Sequence, residues 1–471
     1  MIKESLYGYL IEKVIFSKKI LRPLILPSFY KKMHQFLVDD AKSNLKKCGE
    51  KRYQYGVAMV ECALRNIDKG YISKEVAKKI LDTVVKTMVE EANISREERE
   101  KKYGEVPSFI VLSPTSNCNL RCTGCYASIG DIKFNTLPYE VVDKILQECH
   151  DWGIRFITIS GGEPFLYQDK GKTLFDIWKK YNDMYFLVYT NSTFISPEIA
   201  KKLAELGNVT PGISVEGWEK ETDERRGKGV FQKILTAFKN LREAGVPFGI
   251  SVTATKKNID ILLDDKFYDF FFLEQGVTHM WQFQLMPIGK GKECINLTIT
   301  PQERIKLYRK WEELLDKKKY LIADFWNSGA IVDGCIAYGR SKGHLYINWD
   351  GNIQPCAFVP YYVDNIIDLY KNGKTLWHAL HSDFFKRGRE WQKKYILSHP
   401  LTSDNLLMPC SIRDHYDNWR KNIATKDIKP ENKAAEEALK SPEYKAYLDE
   451  FDKELEKLTA PIWKKEYINS E

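Results

Sequence analysis

The stretch Ser113-Pro-Thr-Ser-Asn-Cys118-Asn-Leu-Arg-Cys122-Thr-Gly-Cys125-Tyr126-Ala127 constrains this chain more than any other. Its three cysteines are spaced by four and then three residues, directly after the apolar run 109–112, which reads as a strand. Three thiolates so placed can hold three corners of a cubane iron–sulfur cluster from a single loop. The fourth iron then has no protein ligand in the motif. It stays open to a substrate or cofactor, as the open position does in catalytic metal sites. The competing reading is a zinc loop or unrelated thiols.

At 471 residues the chain is too long for one simple core and is expected to hold two or three structural units. Ten cysteines without a secretory signal point to a reducing compartment, where clustered cysteines bind metal more often than they pair. Cys48, Cys62 and Cys149 stand singly in helical-looking sequence and read as buried packing residues. A net charge of +8 is modest for this size; it permits anionic partners without demanding nucleic acid, and none is expected. No apolar run approaches the ~18 residues of a membrane span. The expected location is cytoplasmic, with peripheral attachment to the inner face of the membrane as an added option.

That option comes from residues 1–35. Leu6, Tyr7, Tyr9, Leu10, Ile11, Val14, Ile15 and Phe16 form a broad apolar face, and Pro23 and Pro27 bound a patch of Leu24, Ile25 and Leu26. Seven Lys or Arg residues stand against two acids. A cationic amphipathic segment of this kind suits an anionic membrane surface; the competing reading packs the same face on the protein's own core. Residues 36–104 read as helical, with apolar spacing of three and four over 55–67 and 73–92, a turn at Lys69-Gly70, and a charged connector up to Gly104.

From Val106 strands alternate with helices, which favours a parallel sheet. Strands are expected at 109–112, 155–159, 185–189, 212–215, 248–253 and 280–285, and helices include 138–152, 174–181, 196–206 and 301–315. Six such units following this cysteine loop resemble the radical S-adenosylmethionine (radical SAM) superfamily. The resemblance covers roughly residues 106–415. It implies an α/β fold: an incomplete (β/α)6 barrel with its chemistry at the carboxyl ends of the strands. It also implies that the methionine amino and carboxylate groups of S-adenosylmethionine chelate the open iron of a 4Fe–4S cluster at Cys118, Cys122 and Cys125. In the family an aromatic residue usually precedes the third cysteine; here Gly124 stands there and Tyr126 follows.

Further cofactor contacts follow from the same resemblance. Gly161-Gly162-Glu163-Pro164 matches the loop that receives the methionine ammonium, with glycines allowing close backbone approach. Asn191, after Thr190, and Ser214 and Glu216 match polar positions toward ribose and methionine. Arg226 matches an arginine that pairs with the methionine carboxylate as a planar fork. Met286, in Gln284-Leu-Met-Pro287-Ile-Gly289, falls where apolar groups line the adenine, and Tyr126 offers a ring there. Ordinary turns, strand-end caps and a surface arginine are the bland alternatives. No Walker loop or dinucleotide fingerprint competes.

Beyond residue 320 cysteines recur at Cys335, Cys356 and Cys410. Alternating apolar residues around Asp350-Gly351 read as a β-hairpin that brings Cys335 near Cys356. The arrangement resembles a SPASM or twitch extension, without the dense cysteine run of full SPASM domains. This implies a second, auxiliary cluster on three thiolates, whose fourth ligand is substrate, water, Asp414 or His415. A zinc site and scattered structural cysteines are the alternatives. The expected division is a helical region over 1–105, a partial barrel over 106–318, a small α+β cysteine-containing extension over 319–425 and terminal helices over 426–471.

The resemblance implies an enzyme in which an external donor such as ferredoxin or flavodoxin reduces the cluster. S-adenosylmethionine is then cleaved to a 5′-deoxyadenosyl radical, which abstracts hydrogen from an unactivated C–H bond. The basic amino terminus and the aromatic run 270–272 favour a lipid or other hydrophobic substrate. A peptide maturase is the alternative, and a non-catalytic iron–sulfur or zinc scaffold the alternative from another class.

Overall fold

The computed structural model describes residues 12–39, 45–93, 96–127, 133–397 and 404–469. Its centre is one curled sheet. The strands are β1 (Phe109–Leu112), β2 (Phe156–Ile159), β3 (Tyr185–Thr190), β4 (Val209–Val215), β5 (Gly249–Ala254), β6 (Met280–Gln284), β7 (Ile322–Asp324), β8 (His344–Ile347) and β9 (Ile353–Gln354). Their order is β9-β8-β1-β2-β3-β4-β5-β6-β7, parallel at every pair except β8 with β9.

The strands are short and nearly continuously apolar, as strands covered on both faces must be. Helices form the outer layer because their apolar residues recur at three and four. Tyr139–Asp151 buries Val142, Ile145, Leu146 and Cys149; Val230–Glu243 buries Ile234, Ala237, Phe238 and Leu241. Helix starts carry local signals: Ser196 accepts the Ile199 N–H ahead of Pro197, and Thr300 and Glu303 form a reciprocal capping box ahead of Pro301–Glu313. All six expected strands are present in a mixed α/β partial barrel. Two features extend it. Residues 322–324 add a seventh parallel strand, and the hairpin expected around Asp350-Gly351 joins the same sheet, with β8 lying parallel to β1. His344 to Ile347 are all buried, so this placement covers an edge of β1 that would otherwise expose its N–H and C=O groups.

The amino-terminal region is helical, with Arg22–His34, Lys46–Asp68 and Lys74–Asn93, and the expected charged connector is itself the helix Arg96–Tyr103. Of the expected apolar face, Leu6, Tyr7, Tyr9, Leu10 and Ile11 lie outside the described residues. Val14 and Ile15 pack with Phe29 against Val60 and Leu64, so this part of the face is core. Pro23 and Pro27 do not bound a patch; both sit in the helix Arg22–His34, Pro23 in its first turn where the missing N–H costs nothing. The aromatic run at 270–272 is also packing: Phe271 and Phe272 are buried, Phe271 near Trp218 and Phe238, Phe272 stacked on Tyr320. Cys48, Cys62 and Cys149 are buried, as read. At the far end Pro442–Trp463 packs on Pro301–Glu313, and Tyr467 hydrogen-bonds Tyr308 at 2.8 Å between buried hydroxyls.

Candidate active site at the carboxyl ends of the strands

The cysteine loop leaves β1 and is laced to its neighbours through the backbone. Ser113 N–H donates to Ile347 O at 2.8 Å, Gly162 N–H to Thr115 O at 2.9 Å, and Glu163 N–H to Asn117 O at 2.7 Å. The approach of the Gly161-Gly162 turn is so close that side chains are excluded. A Cβ on Gly162 would lie 2.2 Å from Asn117 O, and Gly161 has φ +117° with its Cβ position 2.5 Å from Thr115 O. Gly124 also has φ +66°, with Leu285 3.1 Å from its Cβ position. An aromatic residue before Cys125 would be strained there.

Cys118, Cys122 and Cys125 line one cavity of about 230 Å³, together with Tyr126, Gly161, Gly162, Asn191, Ser214, Arg226 and Met286. Ten of the residues picked from the sequence therefore meet around one space. Donors face the sulfurs: Leu120 N lies 3.4 Å and Asn191 Nδ2 3.8 Å from Cys118 Sγ, and Arg226 Nη1 lies 4.0 Å from Cys122 Sγ. Burial pushes the Cys118 thiol up to about 11 and raises that of Cys122, the latter opposed by Arg226. Ligation by metal would release those protons. Tyr126 donates to or accepts from Ser160 Oγ at 2.7 Å, with its ring 6.1 Å from that of Phe358.

Two expected contacts are placed differently. Glu163 does not border the cavity. It is fully buried and accepts from Thr190 Oγ1 at 2.7 Å, Asn191 N at 2.8 Å and Phe165 N at 3.2 Å, so it ties the ends of β2 and β3 together. Burial nonetheless lifts its carboxyl to about 7 against those bonds. Glu216 is likewise buried behind the wall, bound by Arg226 Nε at 2.9 Å and by Arg225 Nη1 at 2.5 Å. Arg226 is thus not a free fork: Nε and Nη2 go to Glu216, while Nη1 faces Cys122. Arg225, which sequence reading passed over, returns to the cysteine loop by donating to Thr123 O at 3.1 Å.

A second cavity of about 190 Å³ is lined by Cys335, Cys356 and Cys410. Burial pushes Cys410 up to about 12 and raises Cys356 further. Neither proposed fourth ligand borders this cavity. Asp414 pairs with Arg304 at 2.6 Å, both side chains fully buried, and also accepts the Cys410 N–H at 3.1 Å. His415 puts Nε2 2.9 Å from Met408 O and packs against the rings of Trp391 and Tyr395. Both groups are spent holding the loop. The chemistry of the two donor sets fits iron–sulfur clusters: three soft ligands each, ringed around space with no carboxylate on the wall. Among the described residues no three His, Cys, Asp or Glu side chains converge on a position for a single metal ion.

Residues 112–263 match the Radical SAM superfamily. The chain is 30% identical over 196 residues to a Fe-coproporphyrin III synthase of Methanosarcina barkeri, covering 41% of this chain and 48% of the relative. It spans about half of that relative's length. It is 28% identical over 292 residues to a cysteine-type anaerobic sulfatase-maturating enzyme of Clostridium novyi, covering 56% of this chain and 76% of the relative. Among solved structures, Streptococcus suis SuiB bound to precursor peptide SuiA superposes with a TM-score of 0.49 at 21% identity, over 64% of this chain and 69% of SuiB.

The buried Arg304–Asp414 pair makes a testable demand. Removing one partner of a buried pair leaves an uncompensated charge and costs ~3–5 kcal/mol. Arg304→Met is expected to lower the melting temperature and to reduce iron bound at Cys335, Cys356 and Cys410. The double variant Arg304→Met/Asp414→Leu is expected to regain most of the stability but not the iron, because Cys410 loses its N–H acceptor. Calorimetry with iron analysis of both variants checks this; full iron content in the double variant contradicts it.

Proposed function

Residues 112–263 are a radical SAM domain, of a superfamily of enzymes that hold a 4Fe–4S cluster and S-adenosylmethionine, and on that premise we propose that this chain abstracts hydrogen from a C–H bond of a hydrophobic substrate between two iron–sulfur sites. The observation that carries the reading is the meeting of Cys118, Cys122 and Cys125 with Gly161, Gly162, Asn191, Ser214 and Arg226 around one cavity. The bound group supplies one-electron cleavage of S-adenosylmethionine. The chain's own residues hold and screen it. Gly161 and Gly162 let backbone approach the cofactor, while Glu163 keeps the Thr190–Asn191 turn in place. Glu216 compensates Arg225 and Arg226, so the cavity carries no bare cation. Phe283, Phe325 and Phe358 wall the interior with apolar surface that excludes water, which protects reactive species from side reactions. Cys335, Cys356 and Cys410 hold an auxiliary cluster, and an external low-potential donor such as ferredoxin or flavodoxin supplies electrons. A peptide substrate is the second reading, favoured by the sulfatase-maturating relative and by the similarity to a mycofactocin maturase of Mycolicibacterium smegmatis at 26% identity over 297 residues.

A membrane surface is the proposed source of a hydrophobic substrate. The expected apolar face is partly core, but Ile20 and Leu24 stand 81% and 77% exposed beside Lys19, whose side chain is 82% exposed. No helix among the described residues is long and apolar enough to cross a membrane, so contact would be at the surface.

Two measurements test this. Anaerobically reconstituted protein with dithionite is expected to release 5′-deoxyadenosine from S-adenosylmethionine, and the Cys118→Ala/Cys122→Ala/Cys125→Ala variant to release none. Release by that variant overturns the assignment, since these three thiolates are what hold the cluster in this reading. In sedimentation with phosphatidylglycerol vesicles, wild type is expected to bind and to detach in part at high salt. Ile20→Glu/Leu24→Glu is expected to bind at least several-fold less. Equal binding by that variant, or none by wild type, removes the membrane reading and leaves the cofactor chemistry intact.

A further inference from the structure

The two cysteine-lined cavities share a wall. Phe109, Trp281, Phe325, His344, Cys356 and Phe358 border both. The rings support one another: Phe109 stacks on His344 with centroids 5.0 Å apart, and Phe325 meets Phe358 at 5.4 Å. Register explains the first pair, because Phe109 and His344 are Cα partners on adjacent parallel strands. Charge on the lining is compensated. Arg225 and Arg226 pair with Glu216, Lys342 lies 3.6 Å from Asp333, and no Asp or Glu among the described residues borders either space.

Two of the polar side chains on these linings keep buried atoms without a partner, Gln284 on the first cavity and His344 on both. Gln284, at the end of β6, is 1% exposed, and neither its amide nitrogen nor its oxygen has a partner. His344 is 2% exposed and its Nδ1 has none. An unpaired buried donor or acceptor is destabilising, and native structures leave few of them. Two on the lining of one chamber are completed by what fills it. Gln284 offers both a donor and an acceptor, and a neutral imidazole offers one or the other at Nδ1.

We propose that Gln284 and His344 are the polar anchors of a substrate site between the two cysteine sets, and that the group bound there is an apolar skeleton carrying an uncharged hydroxyl or amide. The inference rests on the reading that hydrogen abstraction takes place in this barrel, and it narrows the substrate class. A carboxylate is disfavoured, because it would be buried without a free cation to pair with. Aromatic walls attract a ring beyond what its buried area gives, which favours an aromatic source over an alkyl chain.

The test is equilibrium dialysis of the full chain, reconstituted anaerobically with iron and sulfide and saturated with S-adenosylmethionine. The probes are 4-methylphenol, toluene and 4-methylbenzoate, with octanamide and octanoate as the alkyl arm. Neutral polar probes are expected to bind ~tenfold tighter than their carboxylates. Gln284→Met and His344→Phe are each expected to weaken the preferred neutral probe roughly three- to tenfold, the worth of one hydrogen bond, while toluene binding holds as a control for the fold. Preference for 4-methylphenol assigns an aromatic source, preference for octanamide an alkyl one. Carboxylates binding as tightly as neutral probes, no saturable binding of either neutral probe, or both variants matching wild type overturns the proposal. If a variant loses iron, the wild-type comparison decides alone. Cleavage of S-adenosylmethionine by the same wild-type sample reports separately on the parent reading.

Discussion

The contact on which the rest of this site depends is between two backbones. Gly162 and Glu163 donate their N–H groups to Thr115 and Asn117 of the cysteine loop, at a separation that leaves no room for a Cβ on Gly162. This sets the loop after β1 against the turn after β2. The Glu163 carboxylate then reaches sideways to Thr190 and Asn191, so the ends of three adjacent strands are coupled through the backbone and side chain of one residue. Asn191 in turn points its amide at Cys118 and Asn119. The position of a thiol is thus set by residues some 45 to 75 positions away in the chain. A loop of this length without such ties would pay conformational entropy each time it gathered three ligands.

The second thiol set is held by a different device. Its cysteines come from distant parts of the chain, and Cys410 is fixed by a buried ion pair rather than by backbone lacing. Arg304 also donates to Trp326 O and Leu407 O, at 3.2 and 3.0 Å, which draws the outer helix Pro301–Glu313 into the same cluster of contacts. Burial of such a pair is costly unless its remaining hydrogen-bonding capacity is filled, and here it is. The hairpin of β8 and β9 carries Cys356 just past its end and docks on β1, the strand that delivers Cys118. One sheet therefore presents the first donor set and one thiol of the second, with aromatic rings between the two sets.

The sheet and the first cysteine loop were legible because each rests on local signals: thiol spacing, strand–helix alternation, and Gly-Gly where backbones must touch. Cys118, Cys122, Cys125, Gly161 and Gly162 could be read for that reason. Glu163 and Glu216 were placed one layer too far forward, since sequence shows a carboxylate at a strand end but not whether Thr190 or Arg226 has already engaged it. The same holds for Asp414, whose partner Arg304 lies 110 residues earlier. The chamber wall was illegible altogether. Phe109, Trp281, Phe325, His344 and Phe358 look like ordinary strand and loop aromatics, and only closure of the sheet gathers them. At the amino terminus amphipathicity could not tell core from membrane, and the described part divides: Val14 and Ile15 inward, Ile20 and Leu24 outward.

The central claim is that two separate thiol sets each hold a cubane cluster across one aromatic chamber. Iron and acid-labile sulfide analysis with Mössbauer spectroscopy tests it most directly, on wild type and on the Ala variants of each cysteine triplet. At four irons per cube, about eight irons per chain are expected in wild type and about four in either variant, with the spectrum of the surviving cluster unchanged. About four irons in wild type with no loss on removing Cys335, Cys356 and Cys410, or stoichiometric zinc at those residues, would contradict it.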